Sequence, residues 1–221
     1  MSSPSTHISV ILDRTGSMQS IREDTIGGFN AFLHEQQQQP GHATLTLVQF
    51  DSQDPYEVIH HFRPIAEVPD LTSATFVPRA STPLLDAIGR GINDLEKTVA
   101  DLPAPDKPSR IVMVIITDGQ ENASREFTRA LVQQMIGGKQ QAGWQFVFLS
   151  ADLTAINEAL DSGVSAVSAL SFDKTAEGSR KVWASASARI ADYRSARSAN
   201  VSFLDADREQ QDSEKKRKTK E

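Results

Sequence analysis

Ile8-Ser9-Val10-Ile11-Leu12-Asp13-Arg14-Thr15-Gly16-Ser17-Met18 begins as an apolar run and ends in a carboxylate followed by two hydroxyls at alternate positions. The apolar part has the continuous pattern of a strand buried on both faces, as in a parallel sheet. Asp13, Thr15 and Ser17 are hard oxygen donors, Gly16 permits a tight turn, and Ser17 onward reads as the first turn of a helix. Strand, oxygen-rich loop and helix in that order place ligands at the carboxyl end of a parallel sheet, where open α/β folds keep their sites. The loop therefore reads as a metal or phosphate site.

Two later segments sharpen this reading. Ile111-Val112-Met113-Val114-Ile115-Ile116-Thr117-Asp118-Gly119 is a second apolar run that ends in a carboxylate, so Asp118 is expected at the same edge of the sheet. Between the two lies Ala80-Ser81-Thr82-Pro83-Leu84-Leu85-Asp86-Ala87-Ile88, where Thr82 precedes a proline at the expected first helical position and reads as an N-cap. Three loops then converge and offer Asp13, Thr15, Ser17, Thr82 and Asp118 around one point.

With these residues in this order, the chain resembles the von Willebrand factor type A domain and its metal-ion-dependent adhesion site. That family's pattern is Asp-x-Ser-x-Ser, a distant Thr that often precedes Pro-Leu, and a distant Asp usually followed by Gly. Here it reads Asp13-x-Thr15-x-Ser17, Thr82 and Asp118, within a resemblance that spans roughly residues 6 to 200. Thr15 stands where Ser is commoner, which keeps the hydroxyl and adds a methyl. Ser81 stands where Gly is frequent, and Thr82 is taken as the inward hydroxyl because it directly precedes the helix. The resemblance implies Mg²⁺ or Mn²⁺ held by these five residues, with an Asp or Glu of a partner protein completing the shell. Chemistry supports the residue types. Mg²⁺ takes about six oxygens at roughly 2.0–2.1 Å and gives up water reluctantly, and neutral hydroxyls beside two carboxylates leave it electrophilic.

The enzyme alternative uses the same loop. An Asp at the end of a first strand also suggests aspartyl-phosphate chemistry, so a metal-dependent phosphohydrolase or phosphoryl-transfer enzyme using Asp13 is the second reading. Haloacid dehalogenase-like phosphatases have Asp-x-Asp-x-Thr here, whereas this chain has Thr15 at the second position and lacks that acid. No Gly-x-Ser-x-Gly elbow and no Walker A lysine motif is present, and His7, His34, His42, His60 and His61 fall away from the three loops. We therefore expect a non-enzymatic adaptor. Around the site, Arg14 reads as a solvated loop residue or as one that helps attract an acidic partner, and Glu121 as exposed loop. Asp86 reads either as a residue orienting its neighbours or as one favoured by the helix dipole.

The rest of the chain reads as alternating strands and helices. Strands are expected at 7–13, 43–51, 110–118, 145–151 and 164–172, with an antiparallel edge strand at 56–63. Helices are expected at 17–38, 83–100, 125–141, 153–160 and 176–197. The pattern is α/β: a doubly wound, Rossmann-like, mostly parallel six-stranded sheet with helices on both faces.

Composition bounds the function. The 221 residues are 38% hydrophobic, with no cysteine and no apolar run long enough to span a membrane. Residues 1–5 read as a flexible N-terminus without the basic start and apolar stretch of a secretory signal, and the lack of cysteine suits a reducing compartment, so a cytoplasmic protein is expected. From Asp205 onward there are six basic and six acidic residues with almost nothing apolar, and residues 201–221 read as a charged, disordered tail after a domain at 6–200. The formal charge of -6 then sits on the folded body and disfavours nucleic acid there.

Overall fold

The computed structural model describes residues 5–161 and 163–218. It contains β1 (Thr6–Asp13), α1 (Arg22–Gln38), β2 (Ala43–Phe50), β3 (Glu57–Pro64), α2 (Leu84–Asp101) and β4 (Arg110–Thr117). There follow α3 (Arg129–Gln141), β5 (Gln145–Ser150), α4 (Leu153–Asp161), β6 (Ala169–Ser171), α5 (Ala176–Arg194) and α6 (Asp205–Lys218). The strands form one six-stranded sheet in the order β3-β2-β1-β4-β5-β6, parallel throughout except for β3. This is the expected doubly wound α/β architecture, with its one antiparallel strand at an edge.

Burial explains the layering. Every residue of β1 is buried, as a central strand covered on both faces must be. Ile8, Val10 and Leu12 face a core shared with Phe29, Phe32 and Leu33 of α1 and with Val182, Trp183 and Ile190 of α5. Ile11 faces the opposite core with Leu84, Ile88, Ile92 and Leu95 of α2 and Val132 and Ile136 of α3. Fully burying one such side chain contributes about 1.5–3 kcal/mol, so both faces are needed to hold the sheet. On the first face the Trp183 ring packs edge-on to Phe29 and lies directly over Gly28. A Cβ at position 28 would sit 2.1 Å from the indole, so glycine there is what lets α1 and α5 approach.

Several boundaries differ from the sequence reading. The segment after Asp13 starts as a 3-10 helix at Gly16–Ile21 before α1 begins at Arg22. Helix α3 starts at Arg129 rather than 125, because residues 119–128 are held as a loop by side chains described below. Strand β6 is only Ala169–Ser171, and Ala166–Ser168 form a 3-10 turn.

The expectation of a structureless segment from 201 onward is corrected for the described residues. Val201 and Phe203 are buried, the Phe203 amide bonds Val167 O at 2.7 Å, and α6 follows. The Arg208 guanidinium donates to Ala169 O and Ala166 O at 3.0 and 2.9 Å, which satisfies carbonyls at the open β6 edge. Two apolar anchors and one edge-capping arginine offset the ordering entropy that the charged composition alone could not. Ser5, assigned to the flexible start, accepts bonds from the Ser109 and Arg110 amides, and residues 1–4 and 219–221 lie outside the described residues. No helix among the described residues is long and apolar enough to cross a membrane.

Candidate metal centre

The chain leaves β1 toward β2 and leaves β4 toward β5, so the crevice between the neighbouring β1 and β4 is the point where the winding reverses. Open α/β sheets present their ligand sites at this crevice. Asp13 ends β1, and Asp118 directly follows β4. Both carboxylates are fully buried.

Four of the five residues singled out from sequence are linked by a chain of hydrogen bonds. The Thr15 amide donates to Asp13 Oδ1 at 2.7 Å, and the Thr117 hydroxyl donates to Asp13 Oδ2 at 2.5 Å. Thr15 Oγ1 and Ser17 Oγ lie 3.2 Å apart, and Ser17 Oγ donates to Asp118 Oδ1 at 2.5 Å. Thr82 enters from the third loop. A Cβ placed on Gly119 would lie 3.5 Å from Ser17 Oγ and 3.7 Å from Thr82 Oγ1, so both hydroxyls border the same small space beside Asp118. Thr82 is not the helix cap, however. The N-cap of α2 is Pro83, without a side-chain cap bond, and this leaves the Thr82 hydroxyl turned toward the site.

Electrostatics set the two acids apart. Burial pushes the Asp13 carboxyl up to about 6, against the opposing effect of the Thr117 and Thr15 hydrogen bonds, and the Asp118 charge adds to the rise. Asp118 keeps one oxygen, Oδ2, buried and without a hydrogen-bond donor. Lys174 Nζ stands 3.1 Å from that oxygen as an ion pair outside hydrogen-bond geometry.

The supporting loops are fixed by Glu121, Asp86 and Asn122. Glu121, expected to be exposed loop, accepts from the amides of Ala123 and Ser124, from the Ser124 hydroxyl and from the Leu85 amide at the start of α2. Asp86 is buried and accepts from the Arg125, Glu126 and Phe127 amides at 2.8–2.9 Å. Asn122 binds both sides of Thr82, its side chain receiving the Thr82 amide and its own amide bonding Thr82 O. Ala80 has φ 60°, a left-handed conformation that costs a non-glycine residue about 1–3 kcal/mol, and its carbonyl receives the Gly16 amide at 3.0 Å. The loop bearing Thr82 is thus clamped to the loop bearing Thr15 and Ser17.

Arg14, expected in solvent, is buried. Its guanidinium donates to Asp51 Oδ2 at 2.8 and 3.0 Å, reaches Gln49 Oε1 at 3.3 Å and pairs with Glu57. It therefore points along the loop toward β2 and β3, away from Asp118. A run of neutral hydroxyls around it gave no sequence signal for this partner, which comes from Asp51 at the end of the neighbouring strand.

The donor set fits a hard divalent cation. Two carboxylates and three hydroxyls are all oxygens, and within this set Asp118 Oδ2 is buried without a hydrogen-bond donor. Asp13 engages both of its oxygens with Thr15 and Thr117, an arrangement suited to acting through hydroxyls or water. Among the described residues, no group of three or more His, Asp or Glu side chains forms a carboxylate or imidazole cage.

Solved structures match this fold. Proximal thread matrix protein 1 from the mussel byssus, with a zinc-occupied MIDAS motif, superposes with a TM-score of 0.58 at 12% identity, over 86% of this chain and 46% of that one. Manganese-loaded TRAP protein of Plasmodium vivax gives a TM-score of 0.54 at 11% identity, over 79% of this chain and 70% of that one. The VWA domain of SpRpn10 gives 0.51 at 11% identity, over 81% of this chain and 93% of that domain. The chain thus spans under half the length of the mussel protein. No protein-family model matches the chain, and no curated protein matches it significantly in sequence.

Proposed function

Starting from a chain with the fold of von Willebrand factor type A domains, we propose that it is a metal-dependent protein-binding module of adaptor or regulatory type. Asp13, Thr15, Ser17, Thr82 and Asp118 would hold Mg²⁺ or Mn²⁺, and an Asp or Glu of the partner protein would complete the shell. The observation that carries this reading is Asp118 Oδ2, a buried carboxylate oxygen without a hydrogen-bond donor, on a residue whose other oxygen is held by the Ser17 hydroxyl. When bound, the cation supplies an electrophilic point charge for an acidic side chain. The chain's own residues do the rest: Thr117 and the Thr15 amide fix Asp13, Asn122 fixes the Thr82 backbone, and Ser17 orients Asp118.

Two further features support a protein ligand. A groove of about 510 Å³, lined among others by Ser52, Ser81, Pro83, Asn122, Ser124 and Glu126, borders the Thr82 loop. The neighbours of similar fold include proteins whose MIDAS or manganese occupancy is experimental, which favours a divalent cation here. A nucleophilic Asp13 is disfavoured by geometry, since both of its oxygens already accept hydrogen bonds. We propose the cytoplasm as its compartment, since a chain without cysteine suits a reducing one.

Interaction capture with the purified protein in Mg²⁺, in chelator, and with Asp118→Asn tests the proposal. Partners retained in Mg²⁺ and lost in both controls support it. Partners retained equally in all three contradict it, and phosphate release from an aryl phosphate that vanishes in Asp13→Asn would favour the enzyme instead.

A further inference from the structure

We propose that Lys174 is a resident cation of the site, neutralising Asp118 until a divalent ion displaces it and thereby setting how much metal the site needs. The inference rests on the metal-centre reading and concerns this chain's own residues.

Asp13 and Asp118 are fully buried carboxylates close enough for one charge to raise the pKa of the other. Burying two such charges is costly unless a cation accompanies them. Arg14 does not serve, because its guanidinium is committed to Asp51 and Glu57. Lys174 does, with Nζ 3.1 Å from Asp118 Oδ2. That is also the oxygen left without a hydrogen-bond donor, so the ammonium touches an acceptor that is free for a metal.

The way Lys174 is presented suits displacement. Its backbone sits between two anchors: Phe172 is buried with its amide on Ser150 O at 3.0 Å, and Thr175 caps α5 by accepting from the Gly178 amide at 3.0 Å. Its side chain is 43% exposed while Asp118 is fully covered, so the ammonium reaches in from solvent over a flexible stem. A monovalent ammonium off hydrogen-bond geometry holds Oδ2 less firmly than a divalent ion seated among hydroxyls. When the ion arrives, the ammonium moves into water at little cost to packing, and the released contact is subtracted from the apparent metal affinity.

The test is calorimetric titration of Mn²⁺ into the wild type, Lys174→Met, Lys174→Gln and Lys174→Arg, with melting curves in chelator and in saturating Mn²⁺. Met and Gln should bind Mn²⁺ about two- to fivefold more tightly, the range set by the strength of a partly exposed ion pair. Arg, which keeps the charge, should bind no more tightly than the wild type. In chelator the Met and Gln variants should melt below the wild type, and in saturating Mn²⁺ the gap should close, since the lysine then no longer touches Asp118. Equal or weaker binding in the folded Met and Gln variants overturns the proposal while leaving the metal reading standing. Absence of Mn²⁺ binding in every protein is the failure of the metal reading itself, and competition falls with it.

Discussion

Ser17 Oγ donates to Asp118 Oδ1 at 2.5 Å, a bond between residues 101 positions apart in the chain. It exists because β1 and β4 are parallel neighbours in register, so the loops that leave their carboxyl ends emerge side by side. A hydroxyl and a carboxylate brought together by sheet topology, with a second hydroxyl delivered by the Thr82 loop, form an oxygen cluster no local sequence element could build alone. Our functional reading follows from that cluster.

Thr15 is buried and lies within hydrogen-bond distance of Ser17, so its oxygen matters and its methyl does not. Thr15→Ser should leave Mn²⁺ affinity within about twofold. Thr15→Val keeps the shape and removes the oxygen, and it should weaken binding about tenfold or more. Equal affinity for Val and wild type in calorimetry would remove Thr15 from the ligand set.

Arg14 and Asp51 form an ion pair whose side chains are 6% and 0% exposed. Removing one partner of a buried pair leaves an uncompensated charge, so Arg14→Leu should cost about 3 kcal/mol of stability in urea unfolding. Arg79 also reaches Asp51 Oδ2, at 2.9 Å, and keeps the loss from being larger. A change below about 0.5 kcal/mol would mean that Arg14 is held in solvent, as its sequence context alone suggested.

His7 gives the fold a pH dependence distant from the site. Its ring stacks on Phe62 at 4.0 Å, with Nδ1 2.8 Å from Thr44 Oγ1 and Nε2 buried without a partner. Burial, with the nearby His61 charge, lowers its pKa from 6.5 to about 3. The folded state therefore keeps His7 neutral while the unfolded chain takes up a proton below 6.5. Stability from this group is complete above that value and is lost as pH falls from 6.5 toward 3. Between pH 8 and 5 the loss should be about 2 kcal/mol, and His7→Phe should flatten that part of the profile. An unchanged slope in His7→Phe would show that His7 is accessible to protons in the folded state.

The segment after Asn200 packs rather than trails. Val201 and Phe203 are 0% and 5% exposed, and Arg208 caps carbonyls at the β6 edge. Truncation after Asn200 should cost at least about 3 kcal/mol, seen as a fall in melting temperature of several degrees, whereas a chain ending after Gln211 should keep most of it. Equal melting of both truncations and the full chain would assign this segment no share in stability.

How much of this was legible in the sequence follows physical lines. Continuous apolar runs such as Ile111–Ile116 mark strands covered on both faces, and the stripe Val182, Trp183, Ala186, Ile190 marks the buried face of α5, so the layers could be read directly. The three loops could be read because each follows or precedes such an element. What stayed hidden depends on partners far away in sequence. Arg14 looked solvated because Asp51 is 37 positions distant, and Glu121 looked like loop surface because the Leu85 amide it accepts from is 36 positions away. The charged composition after Asp205 concealed the anchors that precede it, Val201 and Phe203. Lys174 carried no signal at all, since its meaning is a distance to Asp118.

Whether the five oxygen-bearing side chains hold a divalent cation is decided by Mn²⁺ titration of the wild type beside an Asp13→Ala, Thr82→Ala double variant. Saturable binding to the wild type that disappears in a double variant with an intact cooperative melt is the result the account predicts. A well-folded wild type that takes up no Mn²⁺, or a double variant that binds as the wild type does, would contradict it.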